Sequence, residues 1–413
     1  MKRIWKQSHY PKIIGDQLGF IMVGIIAIGI YLSLYSIYVL FLLMANIIIK
    51  DKDQSLPLLP ETRFGIVIPA HNEEIFLPRL LKSLKEQLYP KDLFDVIVIA
   101  DNCSDKTPEV ASNFDTIILE RNDSNKIGKG FAIKFALENM NINEYDAIFI
   151  IDSDSIVRSD ALKHLSQDIK DGNRIVQCYN GVANPSDSWF TRLMDVSRTI
   201  RNEIFEAAKE KLGLSSHLMG NGMCFHRDVI SKYGWDAFSV GEDWEYYTKV
   251  IKHGERVAFT KNVRVYHQES SSLKQATPQR MRWSGGRFAI VWKHGFGLFF
   301  RGLAERNFKK VDASLPLIFP NPSLGINMTL ICLVLSFLFS YSLNRNIYLL
   351  WFGFLILIQI VIFIFGIMCT RERLKSLLSL FVAPLFLVWK MGIDILSALG
   401  MGRKKWERTD RRL

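Results

Sequence analysis

Thirty-one consecutive residues, Gly19–Ile49, carry no charged side chain. A helix crosses the roughly 30 Å hydrocarbon core of a bilayer with about 20 residues, so this run makes one tilted span and is too short for two. It also exceeds the apolar core of about 7–15 residues in a secretory signal, and no small-residue cleavage site follows, so it reads as a retained anchor. Near the other end, 314–341 and 347–369 are two further apolar stretches, separated by the polar link Ser342–Asn346. The last stretch, 374–400, differs from these. Its apolar run Ser376–Trp389 contains Pro384 and is followed by Lys390 and Asp394, which suits an interfacial or re-entrant helix better than a span.

The averages of the chain, 49% apolar and 23% charged, look ordinary; the segregation does not. Much of the net charge of +11 sits beside apolar stretches. Arg301, Arg306, Lys309 and Lys310 precede the first C-terminal span; Arg371, Arg373 and Lys375 follow the second, and a basic tail fills 401–413. Such flanks face the cytoplasm and attract anionic lipid, so the basic balance implies a lipid bilayer and not nucleic acid. The basic segment 1–18 (Lys2, Arg3, Lys6, Lys12) also prefers the cytoplasm, which a single N-terminal crossing does not allow. Five scattered cysteines with no CxxC pair exclude a disulfide framework and a zinc site, and read as reduced thiols facing the cytosol.

Between the apolar ends, 50–283 reads as one α/β domain, joined to the membrane by an amphipathic interface segment at 284–313. Phe64–Ala70, Asp95–Ala100, Thr116–Glu120 and Ala147–Asp152 are short β-branched runs expected as buried parallel strands. Glu73–Gln87 and Gly128–Met140 have helical spacing between them, and Thr107-Pro108 looks like a helix cap followed by proline. This alternation predicts a doubly wound α/β sheet, whose ligands bind outside the carboxyl ends of the strands. The polar clusters sit at those ends: His71-Asn72-Glu73, Asp101-Asn102-Cys103-Ser104-Asp105 and Asp152-Ser153-Asp154. No G-x-G-x-x-G follows the first strand, which argues against a nicotinamide or flavin site.

Asp152 and Asp154 are spaced to hold one hard cation through oxygen while leaving room for phosphate oxygens, although a pair of solvated loop aspartates has the same look. Glu242-Asp243 opens a predicted helix, Asp243–His253, where acidic residues are also ordinary dipole partners. On a further helix Gln279, Arg282 and Trp283 share one face; an Arg can clamp a diphosphate and a Trp can stack on a sugar.

Taken together, IVIPAHNEE, DNCSD, IGKGFAI, DSD, GED and QRMRW resemble the membrane-bound family 2 glycosyltransferases, the group that contains cellulose, chitin and hyaluronan synthases and shorter bacterial relatives. The resemblance covers about 62–300 in motifs and the whole chain in architecture. It implies a GT-A-type sheet domain flanked by transmembrane helices, and an inverting transfer from a nucleotide sugar, usually a UDP-sugar. It further implies that Pro69, His71, Glu73, Asp101, Lys129 and Asp152 bind the nucleotide sugar, and that Asp152 and Asp154 hold Mg²⁺ or Mn²⁺. Asp243 would be the general base, with Glu242, Gln279, Arg282 and Trp283 at the acceptor and diphosphate. His267, ending the predicted strand Val263–His267, is a candidate third metal ligand and equally a structural hydrogen-bonder. Gly241 stands where many polymerising members have Thr, which weakens the case for an extended acceptor.

The reading is therefore an enzyme of the inner or plasma membrane, multi-pass, with its catalytic domain in the cytoplasm. Its acceptor is a lipid-linked or growing glycan. The alternatives are a processive synthase, a nucleotidyltransferase, and a non-catalytic nucleotide-sugar-binding protein; an identical subunit or an export partner stays open. The stripe on Ser188–Leu212 (Trp189, Leu193, Val196, Ile200, Ile204, Ala207, Ala208) reads as core or interface packing, and His226 as structural.

Overall fold

The computed structural model describes residues 10–51, 61–339 and 342–401. Residues 1–9, half of the basic N-terminal segment, and all but the first residue of the basic tail lie outside the described residues. The chain divides into two compact units, one of residues 1–41 and 320–364, the other of residues 42–319 and 365–413.

The larger unit is built on one eight-stranded sheet. Its strands are β1 Phe64–Ala70, β2 Phe94–Asp101, β3 Ile117–Arg121, β4 Ala147–Ile150, β5 Ser155–Val157, β6 Ile175–Val182, β7 Met223–His226 and β8 Val257–His267. Their order is β3-β2-β1-β4-β7-β6-β8-β5. Successive residues of a strand face opposite sides, so the apolar runs feed two cores. Val67, Ile97, Ile99 and Ile150 pack on one face; Ile66, Ile68, Val96, Val98 and Phe149 pack on the other.

The first four strands fall where the apolar runs predict, and β1, β2, β3 and β4 pair in parallel, with Phe64 opposite Phe94 and Ala70 opposite Ala100. The second half of the sheet is mixed: β7 runs antiparallel to β4 and β6, β5 antiparallel to β8, and β6 parallel to β8. The core is thus a mixed α/β sheet, whose parallel half, β3-β2-β1-β4, is connected through crossover helices.

Two local readings change. The helix expected from Glu73 begins at Leu77, because the amides of Glu73 and Glu74 are drawn to Thr107 Oγ1 (2.7 Å) and Asp105 Oδ2 (3.2 Å) on the neighbouring loop. Thr107 lies inside its helix (Thr107–Ser112), and Asp105 Oδ1 accepts the Thr107 amide at 3.0 Å in the capping manner. His226 does cap: its Nδ1 accepts the Asp228 amide at 3.3 Å.

Among the described residues four helical stretches are long and apolar enough to cross a membrane: Gly19–Ile48, Pro322–Phe339, Arg345–Cys369 and Arg373–Ala398. The apolar run 314–341 is not one helix. A helix ends at Ile318, and the next begins at Pro322, since Pro320 and Pro322 cannot donate to the ladder. The stretch 374–400 comprises a short helix, a 3₁₀ turn over Ser379–Val382 and the helix Ala383–Ala398. In the smaller unit the helices interlock through polar contacts in apolar surroundings: Trp351 Nε1 donates to Ser33 Oγ (2.9 Å) and Gln359 Nε2 to Thr329 Oγ1 (2.9 Å).

Candidate functional site

The loops leaving β1, β2 and β4 meet at the carboxyl edge of the parallel strands. Asn72 and Asn102 adopt left-handed backbone conformations (φ 55° and 51°), which turn each chain sharply out of its strand. Asn72 Oδ1 then accepts from the amides of Ser104 (2.7 Å) and Asp105 (3.3 Å), joining the first two loops. His71 Nδ1 lies 2.7 Å from the Asp101 carbonyl. Asp101 is buried, with Oδ1 2.5 Å from Arg121 Nη1 and 2.9 Å from Asn102 Nδ2. Burial raises its pKa above the ordinary carboxylate value, against the opposing pull of Arg121.

After β4, the Asp152 amide donates to Asn221 Oδ1 at 3.0 Å, and Asn221 Nδ2 donates to Ser155 Oγ at 2.9 Å. The turn Gly220-Asn221-Gly222 is held over the strand end, with Gln177 Nε2 donating to the Asn221 carbonyl (2.8 Å). Gly220 and Gly222 both need their left-handed backbone (φ 79° and 68°).

Lys129 gathers these parts. Its ammonium donates to Asp152 Oδ1 and to the Gly220 carbonyl, and lies 3.9 Å from Glu242 Oε1. Its aim follows from Gly130, where any Cβ would run into the Ala237 carbonyl, and from Phe131 stacked on Phe238 (centroids 4.5 Å). Burial pulls the Lys129 pKa down, but Asp152 and Glu242 carry it above its usual value, so the group is a fixed cation.

Asp243 stands one residue beyond Glu242 at the start of the helix Glu242–Lys252. Its Oδ1 accepts the Trp244 amide at 2.8 Å, and Oδ2 lies 3.3 Å from where a Cβ of Gly220 would be. Burial raises both carboxyls of this pair above the ordinary range, with the Asp243 charge adding to the rise at Glu242; Lys129 opposes the rise at both. A half-buried carboxylate with an elevated pKa and one oxygen already oriented has the properties of a general base.

The helix Leu273–Ile290 carries Gln279, Arg282 and Trp283. It crosses the Gly241 turn closely, since a Cβ at Gly286 would sit 3.2 Å from the Gly241 nitrogen. Two guanidiniums lie near the Trp283 ring, Arg280 at 4.6 Å and Arg198 at 5.7 Å from its centre. Arg280 Nη2 donates to the buried Glu269 Oε2 at 2.6 Å. His267, the candidate third metal ligand, pairs with Ser155 across the sheet; its Nδ1 is 3.0 Å from Asn180 Oδ1 and its Nε2 3.5 Å from Glu269 Oε2. Among the described residues no three His, Cys, Asp or Glu side chains cluster as a metal site.

Sequence reading missed four residues here: Arg198, His217, Glu206 and Glu269. His217 is buried, stacks on Trp244 (4.7 Å, 20°), lies 2.7 Å from Glu206 Oε1 and receives Arg201 Nη1 at 2.6 Å on Nε2. Because an arginine only donates, that nitrogen carries a lone pair and the ring is neutral. Burial, with Arg201 adding to it, holds the His217 pKa down at about 4, against the pull of Glu206.

The fold is a mixed α/β sheet core of the GT-A glycosyltransferase type. The family description "Glycosyltransferase like family 2" matches residues 60–286. The chain belongs to glycosyltransferase family 2. It is 25% identical over 241 residues to the "probable glycosyltransferase YdaM" of Bacillus subtilis (strain 168), covering 56% of each chain. It is 30% identical over 205 residues to the beta-monoglucosyldiacylglycerol synthase of Trichormus variabilis, covering 47% of this chain and 41% of that one. The chain thus spans about half the length of these curated relatives. Among solved structures, the mannosyltransferase PcManGT from Pyrobaculum calidifontis, in complex with GDP-Man and Mn2+, matches with TM-score 0.58 at 18% identity over 90% of this chain and 99% of that one.

Proposed function

We propose that this glycosyltransferase moves a sugar, with inversion, from a UDP-sugar to the hydroxyl of a lipid or lipid-linked acceptor at the cytoplasmic face of the cell membrane. The observation that carries the reading is the convergence of Asp152, Lys129, Glu242 and Asp243 around the Gly220 turn: cationic and acidic groups for a diphosphate stand beside a carboxylate suited to be a base.

Asp243 takes the proton of the acceptor hydroxyl as its oxygen bonds to the anomeric carbon. The bond from that carbon to the diphosphate breaks on the opposite face, and the electron pair leaves with UDP. Lys129 keeps a positive charge at the Asp152 loop. Pro69, His71, Glu73 and Asp101 border the nucleotide, and Gln279, Arg282 and Trp283 border the diphosphate and acceptor. The donor set fits a divalent cation, since Asp152 and Asp154 offer hard carboxylate oxygens and the Asp152 carboxylate already holds a cationic group. These two residues would hold Mg²⁺ or Mn²⁺, which when bound neutralises the charge growing on the leaving diphosphate.

Two things support a lipid acceptor. The relatives include enzymes named for glucosyldiacylglycerol synthesis. In addition, the Gln279–Trp283 helix packs along the apolar helix Ala383–Ala398, with Trp389 Nε1 donating to Thr277 Oγ1 (3.0 Å) and Lys390 Nζ to Ser284 Oγ (3.0 Å).

The test is UDP release from purified protein offered a panel of UDP-sugars with Mg²⁺ or Mn²⁺ and diacylglycerol, with Asp243→Asn as the blank. Release with one sugar, absent in the blank and accompanied by a labelled lipid product, is the expected result. Release of pyrophosphate instead of UDP would replace this reading with nucleotidyl transfer.

A further inference from the structure

The segment Trp189–Lys211, whose apolar stripe reads as packing, also carries a cation with no counter-ion. Of the two guanidiniums on Trp283, Arg280 is paired with Glu269. Arg198 is half-buried, and among the described residues its guanidinium makes no hydrogen bond or ion pair; its one described contact is with the Trp283 ring. Burial, then the charge of Arg280, push the Arg198 pKa down to about 10, so it stays protonated at neutral pH.

An unpaired cation taken out of water is costly unless an anion meets it. The fields of Glu269 and Asp243 reach Arg198, but the first is committed to Arg280 and neither bonds it. Two other features mark the same place. The helix changes to a π turn at Ile200–Glu206, a distortion common at functional sites. One turn before Trp283, Gln279 is buried with its Oε1 lacking a donor among the described residues. A ligand carrying both a negative group and a hydroxyl would satisfy both. An arginine fork suits phosphate oxygens, and the neighbouring Trp283 ring offers an apolar face.

We propose that Arg198 and Trp283 form a phosphate-recognition subsite beside Asp243. The ligand is a phosphate monoester or diphosphate, supplied either by the leaving nucleotide or by a phosphorylated acceptor. The proposal rests on the reading of Asp243 and Trp283 as the transfer site.

Three probes test it by calorimetry on the purified full-length protein: inorganic pyrophosphate, UDP, and dihexanoyl phosphatidic acid with dihexanoylglycerol as the phosphate-free control. Arg198→Gln should weaken at least one phosphate probe by about 10-fold or more, and Arg198→Lys should retain most of the affinity. Loss confined to UDP and pyrophosphate assigns the site to the donor diphosphate; loss confined to phosphatidic acid assigns it to the acceptor. Unchanged affinity for all three, in a variant with a wild-type melting profile, would overturn the proposal. If Arg198→Gln does not fold, Arg198→Met decides: a loss of about 10-fold or more for a phosphate probe supports the proposal, and wild-type affinity for all three probes counts against it. Pyrophosphate binding needs no turnover, so a failure of the glycosyltransferase reading, seen as no UDP release from wild type, is separable from a failure of the subsite.

Discussion

Gly220→Ala tests the geometry around Asp243 more sharply than removing the carboxylate itself. The backbone at Gly220 has φ 79°, where a side chain costs about 1–2 kcal/mol. The new methyl would also stand 3.3 Å from Asp243 Oδ2, the oxygen that Trp244 leaves open. An acceptor hydroxyl must approach such an oxygen to about 2.7 Å, so the methyl competes for that approach. If the carboxylate turns aside, it strains the 2.8 Å bond from the Trp244 amide. General-base catalysis contributes about 10²–10⁴-fold, and losing most of the alignment should lower kcat about 10²-fold. UDP affinity should stay within a few-fold.

Gly222→Ala is the control. It has similar backbone strain (φ 68°), and its methyl would press on Cys178 Cβ and Val265 Cγ2, both at 3.1 Å, in the core and away from the carboxylate. Both variants should melt several degrees lower, at about 2–4 °C per kcal/mol for a domain of this size. Only Gly220→Ala should lose kcat out of proportion to its folded fraction. Equal kcat per folded molecule in the two variants would refute the reasoning.

Further outcomes follow from the same contacts. Asp243 has a raised pKa, so turnover should fall on acidification along a limb lying above the ordinary carboxylate value of about 3.9, read from a kcat–pH profile. The same sign means that folding pays to keep Asp243 ionised: Asp243→Asn should raise the melting temperature at pH 8, and the gain should vanish below the unfolded carboxyl pKa. His217→Ala removes the ring stacked on Trp244 and should lower kcat about 10-fold with UDP affinity kept, while His217→Phe should recover part of it. Lys390 and Asp394 are both buried, and Asp394 also accepts from Ser284 at 3.1 Å. Asp394→Ala alone should therefore cost about 3–5 kcal/mol, and the paired change Lys390→Met with Asp394→Leu distinctly less, as measured by thermal melts in detergent.

The parallel half of the fold was legible because β1, β2 and β4 are continuous apolar runs, and the residues that follow such runs must lie at the edge where ligands bind. That is how Asp101, Asp152 and Asp154 came to be named. The antiparallel half was not legible: β5 has three residues and β7 four, too short for a period to declare itself. The turn at Gly220 was invisible for another reason. It matters through Lys129, 91 positions away, and through Asp243, and no local pattern links them. Arg198 and His217 were hidden by their surroundings, one in an apolar stripe and the other in a polar loop.

The central claim is that Asp243 is the base of a sugar transfer and not a holder of the nucleotide. The most direct test is to measure, in one preparation of Asp243→Asn, UDP affinity by calorimetry and turnover by UDP release. The account predicts affinity within about twofold of wild type and turnover lowered by about 10³-fold or more, the scale of a lost general base. Turnover near wild type, or a loss of UDP binding that matches the loss of turnover, would contradict it.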